Sequence, residues 1–202
     1  NGDGFDDLII GAYGGDPGGD GYGGESYVVF GKISGFGASL DLASLNGTTG
    51  FRLDGIDAND RSGRSVASAG DVNGDGFADL IIGAYGGDPG GDSAAGESYV
   101  VFGKTSGFAT SIDLGTLNGS NGFRIDGIDQ NDRSGHSVAS AGDVKGDGFD
   151  DLIVGAWGGD PGGDSYAGES YVVFGKSSGF AASLDLASLN GTNGFRIDGI
   201  DQ

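Results

Sequence analysis

The chain is long enough at 202 residues to bury one substantial core, but 47 of those residues are glycine, so much of it must be turn. Thirty acids against ten bases give a formal charge of −20, which argues against nucleic acid and anionic membrane surfaces as partners and makes cations the natural ones. The lack of cysteine excludes disulfides and thiolate metal sites, and no apolar run approaches the roughly 18 to 20 residues of a membrane span, so insertion into a membrane is not expected.

The chain opens on Asn1-Gly-Asp3-Gly4-Phe5-Asp-Asp7, followed by the apolar run Leu8-Ile-Ile-Gly-Ala12-Tyr13. The same stretch returns as Asp71-Val-Asn73-Gly-Asp75-Gly76-Phe77-Ala-Asp79 before Leu80-Ile-Ile-Gly-Ala84-Tyr85. It returns again as Asp143-Val-Lys145-Gly-Asp147-Gly148-Phe149-Asp-Asp151 before Leu152-Ile-Val-Gly-Ala156-Trp157, so the period is 72 residues. A fixed long period marks a solenoid, a propeller or a string of domains.

The second copy shows the organisation of a repeat. Residues 65–69 read as strand A leading into the acidic loop, and residues 79–85 as strand B leading out of it. A Gly-Gly-Asp-Pro-Gly-Gly-Asp corner at 86–92, repeated at 14–20 and 158–164, separates B from strand C at 97–103. A longer connection then ends at strand D, 122–128. Within that connection Ser111-Ile112-Asp113-Leu114 and its copies read as either one short helical turn or a partly ordered loop, with the leucines capping a blade edge.

Strands B and C are apolar on both faces instead of alternating, as in sheets covered from both sides. Four strands in a unit of this length suit a propeller blade. The expected fold is therefore all-β: a β-propeller fragment of stacked four-stranded antiparallel blades, about two and three-quarter of them, in an open ring. Residues 1–58 are a partial blade with strands B to D, and 59–130 and 131–202 are complete blades of the same propeller. Because the first motif begins one ligand late and the last repeat breaks off at Asp201-Gln202, the chain is expected to be part of a longer repeat protein, whose remaining blades would be partners of the terminal faces.

Oxygen side chains at loop positions 1, 3, 5 and 9, with glycine at position 6 where the backbone turns sharply, are what a hard cation such as Ca2+ requires. An EF-hand would need glutamate at position 12 and an exiting helix; Ile82 stands there, inside a strand-like run. The site is thus placed on a hairpin between two strands. The run from Gly63 through Val66, Asp71 to Asp79 and Gly83-Ala84 resembles the FG-GAP repeat of integrin α-subunit β-propellers and related bacterial extracellular proteins. Two positions depart from that pattern: Ser62-Gly63 stands for Phe-Gly, and Gly-Ala-Tyr or Gly-Ala-Trp for Gly-Ala-Pro.

The resemblance implies that Asp71, Asn73, Asp75 and Asp79 supply side-chain oxygens and Phe77 a carbonyl. It extends to Asp143, Asp147, Phe149 and Asp151 in the third loop and to Asn1, Asp3, Phe5 and Asp7 in the first. Lys145 occupies the Asn73 position, and two readings stand: its ammonium replaces the cation, or it swings to solvent and calcium binds more weakly. Asp88 and Asp92 are a lesser candidate for a second cation site.

No nucleophile, histidine and acid come together in the pattern, so catalysis is not expected; His136, the single histidine, reads as a surface substitution. Tyr85 and Trp157 read as interblade packing in preference to a sugar platform. The expected role is adhesion or ligand binding by a secreted or cell-surface protein, with a protein or glycan on the face opposite the calcium hairpins. Alternatives are spacer repeats in a large exoprotein and a non-catalytic propeller attached to an enzyme.

Overall fold

A computed structural model of the chain describes residues 1–19, 21–163 and 166–200; the last aspartates of the first and third corner motifs, Asp20 and Asp164, and the terminal Asp201-Gln202 pair lie outside them. Thirteen short strands and no α-helix make up the described residues. The second repeat contributes β4 (Ser65–Gly70), β5 (Asp79–Ala84), β6 (Glu97–Val101) and β8 (Gly122–Asp126), each antiparallel to the next. The first repeat contributes β1 (Leu8–Ala12), β2 (Glu25–Val29) and β3 (Gly50–Asp54), and the third β9 (Ser134–Gly142), β10 (Asp151–Ala156), β11 (Glu169–Val173) and β13 (Gly194–Asp198). The strands fall in three sheets, none closed on itself, which together form a partial, open propeller of stacked blades.

Alternate side chains of a strand face opposite ways, and here both ways lead into core. Ile81 joins a cluster with Leu152, Val154 and Tyr171 of the third sheet, whereas its neighbour Ile82 joins one with Val28, Phe51 and Leu53 of the first. This explains why β5 has no polar face. Gly83 is needed for the stacking: a Cβ there would collide with the carbonyl of Gly135, which belongs to the next repeat, and Gly11 meets Gly63 in the same way.

The connection before strand D is a strand followed by a 3-10 turn. Ser111–Asp113 forms β7 and pairs in parallel with β3 of the preceding sheet, and Ser183–Asp185 forms β12 and pairs with β8. Where the sequence predicts a turn or a loop, the stretch is an additional edge strand lent to the blade before. Its anchors are apolar. Phe108 stacks on Phe51 with ring centroids 4.6 Å apart, Phe180 stacks on Phe123 at 4.2 Å, and Leu114 and Leu186 are buried. Asp113 and Asp185 then cap the 3-10 turns by accepting from the Gly115 and Ala187 amides.

Candidate metal hairpins

Antiparallel pairing of β4 with β5 places loop 71–78 at one end of the second sheet and the β5–β6 loop at the other. In the second hairpin the Asp71 carboxylate accepts the amides of Gly74, Asp75 and Gly76 at 2.8–3.0 Å. Asn73 Oδ1 accepts the Asp75 amide, Asp75 Oδ1 accepts the Phe77 amide, and Asn73 Nδ2 donates to Asp75 Oδ2. Asp79 lies fully buried beneath the loop, with its two oxygens accepting from the amides of Val72 and Gly103. Burial lifts its carboxyl to about 7 against the pull of those two amides, and the charges of Asp75 and Asp71 add to the rise.

The third hairpin repeats this frame, with Asp143 accepting from Gly146, Asp147 and Gly148, and Asp151 from Val144 and Gly175. Lys145 places its ammonium 2.9 Å from Asp147 Oδ2, an ion pair inside the loop, and Asp147 holds the lysine above its ordinary pKa. In the first hairpin Asn1, Asp3 and Asp7 share the loop with Phe5, and the amino group of Asn1 is 3.0 Å from Asp7 Oδ2. The second hairpin differs from the third. Among the described residues no basic group lies within ion-pair distance of Asp71, Asp75 or Asp79.

The donor set suits a hard cation: all ligand types are oxygen, and Asp71 Oδ2 and both Asp79 oxygens each accept only one amide, leaving lone pairs. The shell is not gathered, since no trio of acidic or histidine side chains among the described residues is drawn together as a metal cage. Binding would therefore require Asp71 and Asp75 to turn from loop amides toward the ion. At the B–C corner, Asp88 accepts the Ala94 amide at 2.6 Å, a loop-closing role.

The sequence model of the FG-GAP repeat matches residues 1–29, 62–101 and 134–173, more than half of the chain and all three hairpins. The chain belongs to the FG-GAP repeat family. Among curated proteins none matches the sequence. FG-GAP repeats are typical of extracellular proteins and build propeller-type domains that are typically non-catalytic; among the described residues no helix is long and apolar enough to cross a membrane.

The opposite end of these FG-GAP blades carries a row of aromatic and cationic side chains. Arg61 lies over Tyr85, His136 meets Tyr85 edge-on at 5.4 Å and Trp157 at 6.1 Å, Arg133 lies over Trp157, and Tyr166 stacks on Trp157 at 6.0 Å. Tyr85 is interblade packing, because His136 comes from the next repeat; Trp157 and Tyr166 are exposed. His136 is thus a wedge between two rings, kept below its usual pKa by burial and by Arg64 and Arg133.

One polar network escaped sequence reading. Tyr99 donates to Glu97, Glu97 pairs with Arg124, and Arg124 grips Asp126, all on adjacent strands β6 and β8; Tyr171, Glu169, Arg196 and Asp198 repeat it. The recurring Glu-Ser-Tyr and Phe-Arg-Ile/Leu-Asp were its signal, legible only with the register that sets Tyr99 against Arg124.

Proposed function

We propose that the chain is a calcium-stabilised binding module of a secreted or surface-displayed protein. Asp71, Asn73, Asp75 and Asp79, with the Phe77 carbonyl, would hold the ion in the second hairpin, and a bound Ca2+ would neutralise charge that the loop otherwise leaves opposed. The observation that carries this reading is the contrast between the second and third hairpins: the Lys145 ammonium sits among the acids of the third, and among the described residues no basic group sits among those of the second. On this reading the third hairpin is held by Lys145 without calcium, and the first, built from Asn1, Asp3, Phe5 and Asp7, is the weaker site. A ligand bound only by the folded state raises stability by RT ln(1 + [L]/Kd). Calcium is expected to raise the melting temperature over that in chelator, and more than magnesium does, since magnesium sheds water reluctantly and demands octahedral geometry. Superimposable melting curves in calcium and chelator overturn the metal reading.

The exposed Trp157–Tyr166 pair beside Arg133 supports the second half of the proposal, a protein or glycan ligand on the face away from the hairpins. A glycan array probed with the chain and with Trp157→Ala tests it. Binding to a glycan class that the variant loses supports the reading, and binding unaffected by the substitution removes this face from it.

A further inference from the structure

Each crossover enters its strand D through the same short stretch: Leu45-Asn46-Gly47-Thr48 ahead of β3, Leu117-Asn118-Gly119-Ser120 ahead of β8 and Leu189-Asn190-Gly191-Thr192 ahead of β13. An asparagine followed two residues later by serine or threonine, with no proline between, is the acceptor sequence for an N-linked sugar. Of the nine asparagines in the chain only these three stand in it, and they hold the same place in each repeat. We infer that Asn46, Asn118 and Asn190 are glycan acceptor sites, each modified at Nδ2.

The turn presents the acceptor group outward. All three asparagines are exposed, and the leucines before two of them, Leu45 and Leu117, are buried and anchor the turn. Asn46 Oδ1 accepts the Thr48 amide at 3.0 Å and the Thr48 hydroxyl at 2.8 Å. Asn118 Oδ1 accepts the Ser120 amide at 3.0 Å and its hydroxyl at 2.6 Å, and Asn190 Oδ1 accepts the Thr192 amide at 3.0 Å and its hydroxyl at 2.5 Å. Each carboxamide is thus held through its oxygen. Among the described residues Nδ2 of none of the three donates a hydrogen bond, whereas Nδ2 of the neighbouring Asn121 and Asn193 is taken up by the Thr116 and Ser188 carbonyls.

The backbone alone does not call for the hydroxyl. The turn is closed by the amides of Gly47, Gly119 and Gly191, which donate to the carbonyls of Gly50, Gly122 and Gly194 at 2.8 Å, and the bond to Oδ1 from the main chain is one that any residue but proline would supply. The third position is nonetheless Thr, Ser and Thr. What those side chains share is the hydroxyl, which is the group the acceptor sequence requires.

The modification leaves the turn intact. Nδ2 attacks the anomeric carbon of a phosphate-activated glycosyl donor; the C–N bond forms as the C–O bond to the phosphate leaving group breaks with its electron pair, and one Nδ2 proton passes to base. The product keeps Oδ1 and one N–H, so both bonds to Oδ1 survive while a bulky, solubilising group stands on a surface turn. None of these residues belongs to the hairpins or to the aromatic row, so the inference is independent of the calcium and ligand readings.

The test is the intact mass and peptide map of the chain recovered from the cells that make it, beside the same chain made in a host without N-glycosyl transfer. The expected result is added saccharide mass on the peptides that contain Asn46, Asn118 and Asn190; a single hexose assigns a nucleotide-sugar donor and a larger saccharide a lipid-linked one. Thr48→Ala, made in the same cells, should abolish modification of Asn46 and leave Asn118 and Asn190 modified, and Thr48→Ser should retain all three. Thr49→Ala is the control: its hydroxyl also reaches Asn46 Oδ1, at 3.2 Å, but lies outside the acceptor sequence, so modification should persist. A mass equal to that of the bare sequence, sugar found only on serine or threonine, or sugar on Asn46 that survives Thr48→Ala overturns the proposal.

Discussion

Strands β8 and β13 are the same five residues, Gly-Phe-Arg-Ile-Asp, in the same place in their sheets, yet they live in different environments. Phe123 and Ile125 of β8 are 0% exposed, and Phe195 and Ile197 of β13 are 36% and 46% exposed. The local sequence, the neighbouring strand and the register are alike. What β8 has in addition is the crossover of the following repeat, with Phe180 stacked on Phe123 and β12 paired along its edge. Burial in this molecule is a nearest-neighbour property. Each repeat completes the one before it, as expected of a chain whose stability is a sum of unit and interface terms.

The largest effect should come from Phe123→Ala, which removes a fully buried ring and leaves Phe180 without its stacking partner; a loss of about 3–5 kcal/mol is expected in denaturant unfolding. Phe195→Ala, the same substitution in the same pentapeptide, should cost less, about 1–2 kcal/mol, since about a third of the residue stays in water and no ring of a following repeat stacks on it. Equal losses would break the comparison. The glycines sharpen it further. Gly119 and Gly191 both have left-handed φ, so alanine strains either by roughly 1–2 kcal/mol, but only at Gly119 would the new Cβ also strike the Phe180 carbonyl. Gly119→Ala should therefore cost at least about 1 kcal/mol more than Gly191→Ala.

The hairpins give a second matched pair. Lys145→Asn should give the third hairpin a calcium site that the parent lacks, and Asn73→Lys should weaken the second about tenfold, about 1.4 kcal/mol. Calorimetric titration checks this, and an unchanged stoichiometry and affinity in Lys145→Asn would remove position 3 from the ligand set.

A third pair of sites, two buried acids at the junctions, gives effects that appear only at one end of the pH range. Desolvation, with Glu97 and Asp57 adding, lifts Asp60 to about 7, and desolvation lifts its counterpart Asp132 to about 6. With folded pKa values above the ordinary aspartate value of 3.8, the folded state holds protons that the unfolded state has released. Their contribution to stability is greatest below about pH 4 and is lost as pH rises through 6 to 7. Asp60→Asn should raise stability at pH 8 by at least about 1.4 kcal/mol, the value of one pKa unit, with a lesser gain for Asp132→Asn and neither gain at pH 4. Thermal melts of both variants at the two pH values check it.

Much of this was legible in the residues. Leu80-Ile-Ile and Tyr99-Val-Val-Phe are short apolar runs bounded by glycine and aspartate, and they could be placed as doubly covered strands without coordinates. The positions of Asp71, Asn73, Asp75 and Asp79 on a strand-to-strand hairpin were equally readable, because a nine-residue loop fixes its own spacing. The crossover was not. Ser111-Ile-Asp is too short to show periodicity, and its partner β3 lies in another repeat, so only the fold reveals the pairing. The Tyr99–Glu97–Arg124–Asp126 network was missed for the same reason: its members meet through register, which no local pattern encodes.

Hydrogen exchange at three equivalent amides tests the nearest-neighbour account most directly. Arg52 and Arg124 donate their amides to the Thr110 and Ala182 carbonyls of the following repeat, and Arg196 lies on the edge that receives no such strand among the described residues. Measured at dilution, Arg52 and Arg124 should be protected by at least about a hundredfold over Arg196, which should exchange as a frayed edge. Equal protection of Arg124 and Arg196 would contradict the account, because strand D would then owe its order to its own sheet and not to the repeat that follows.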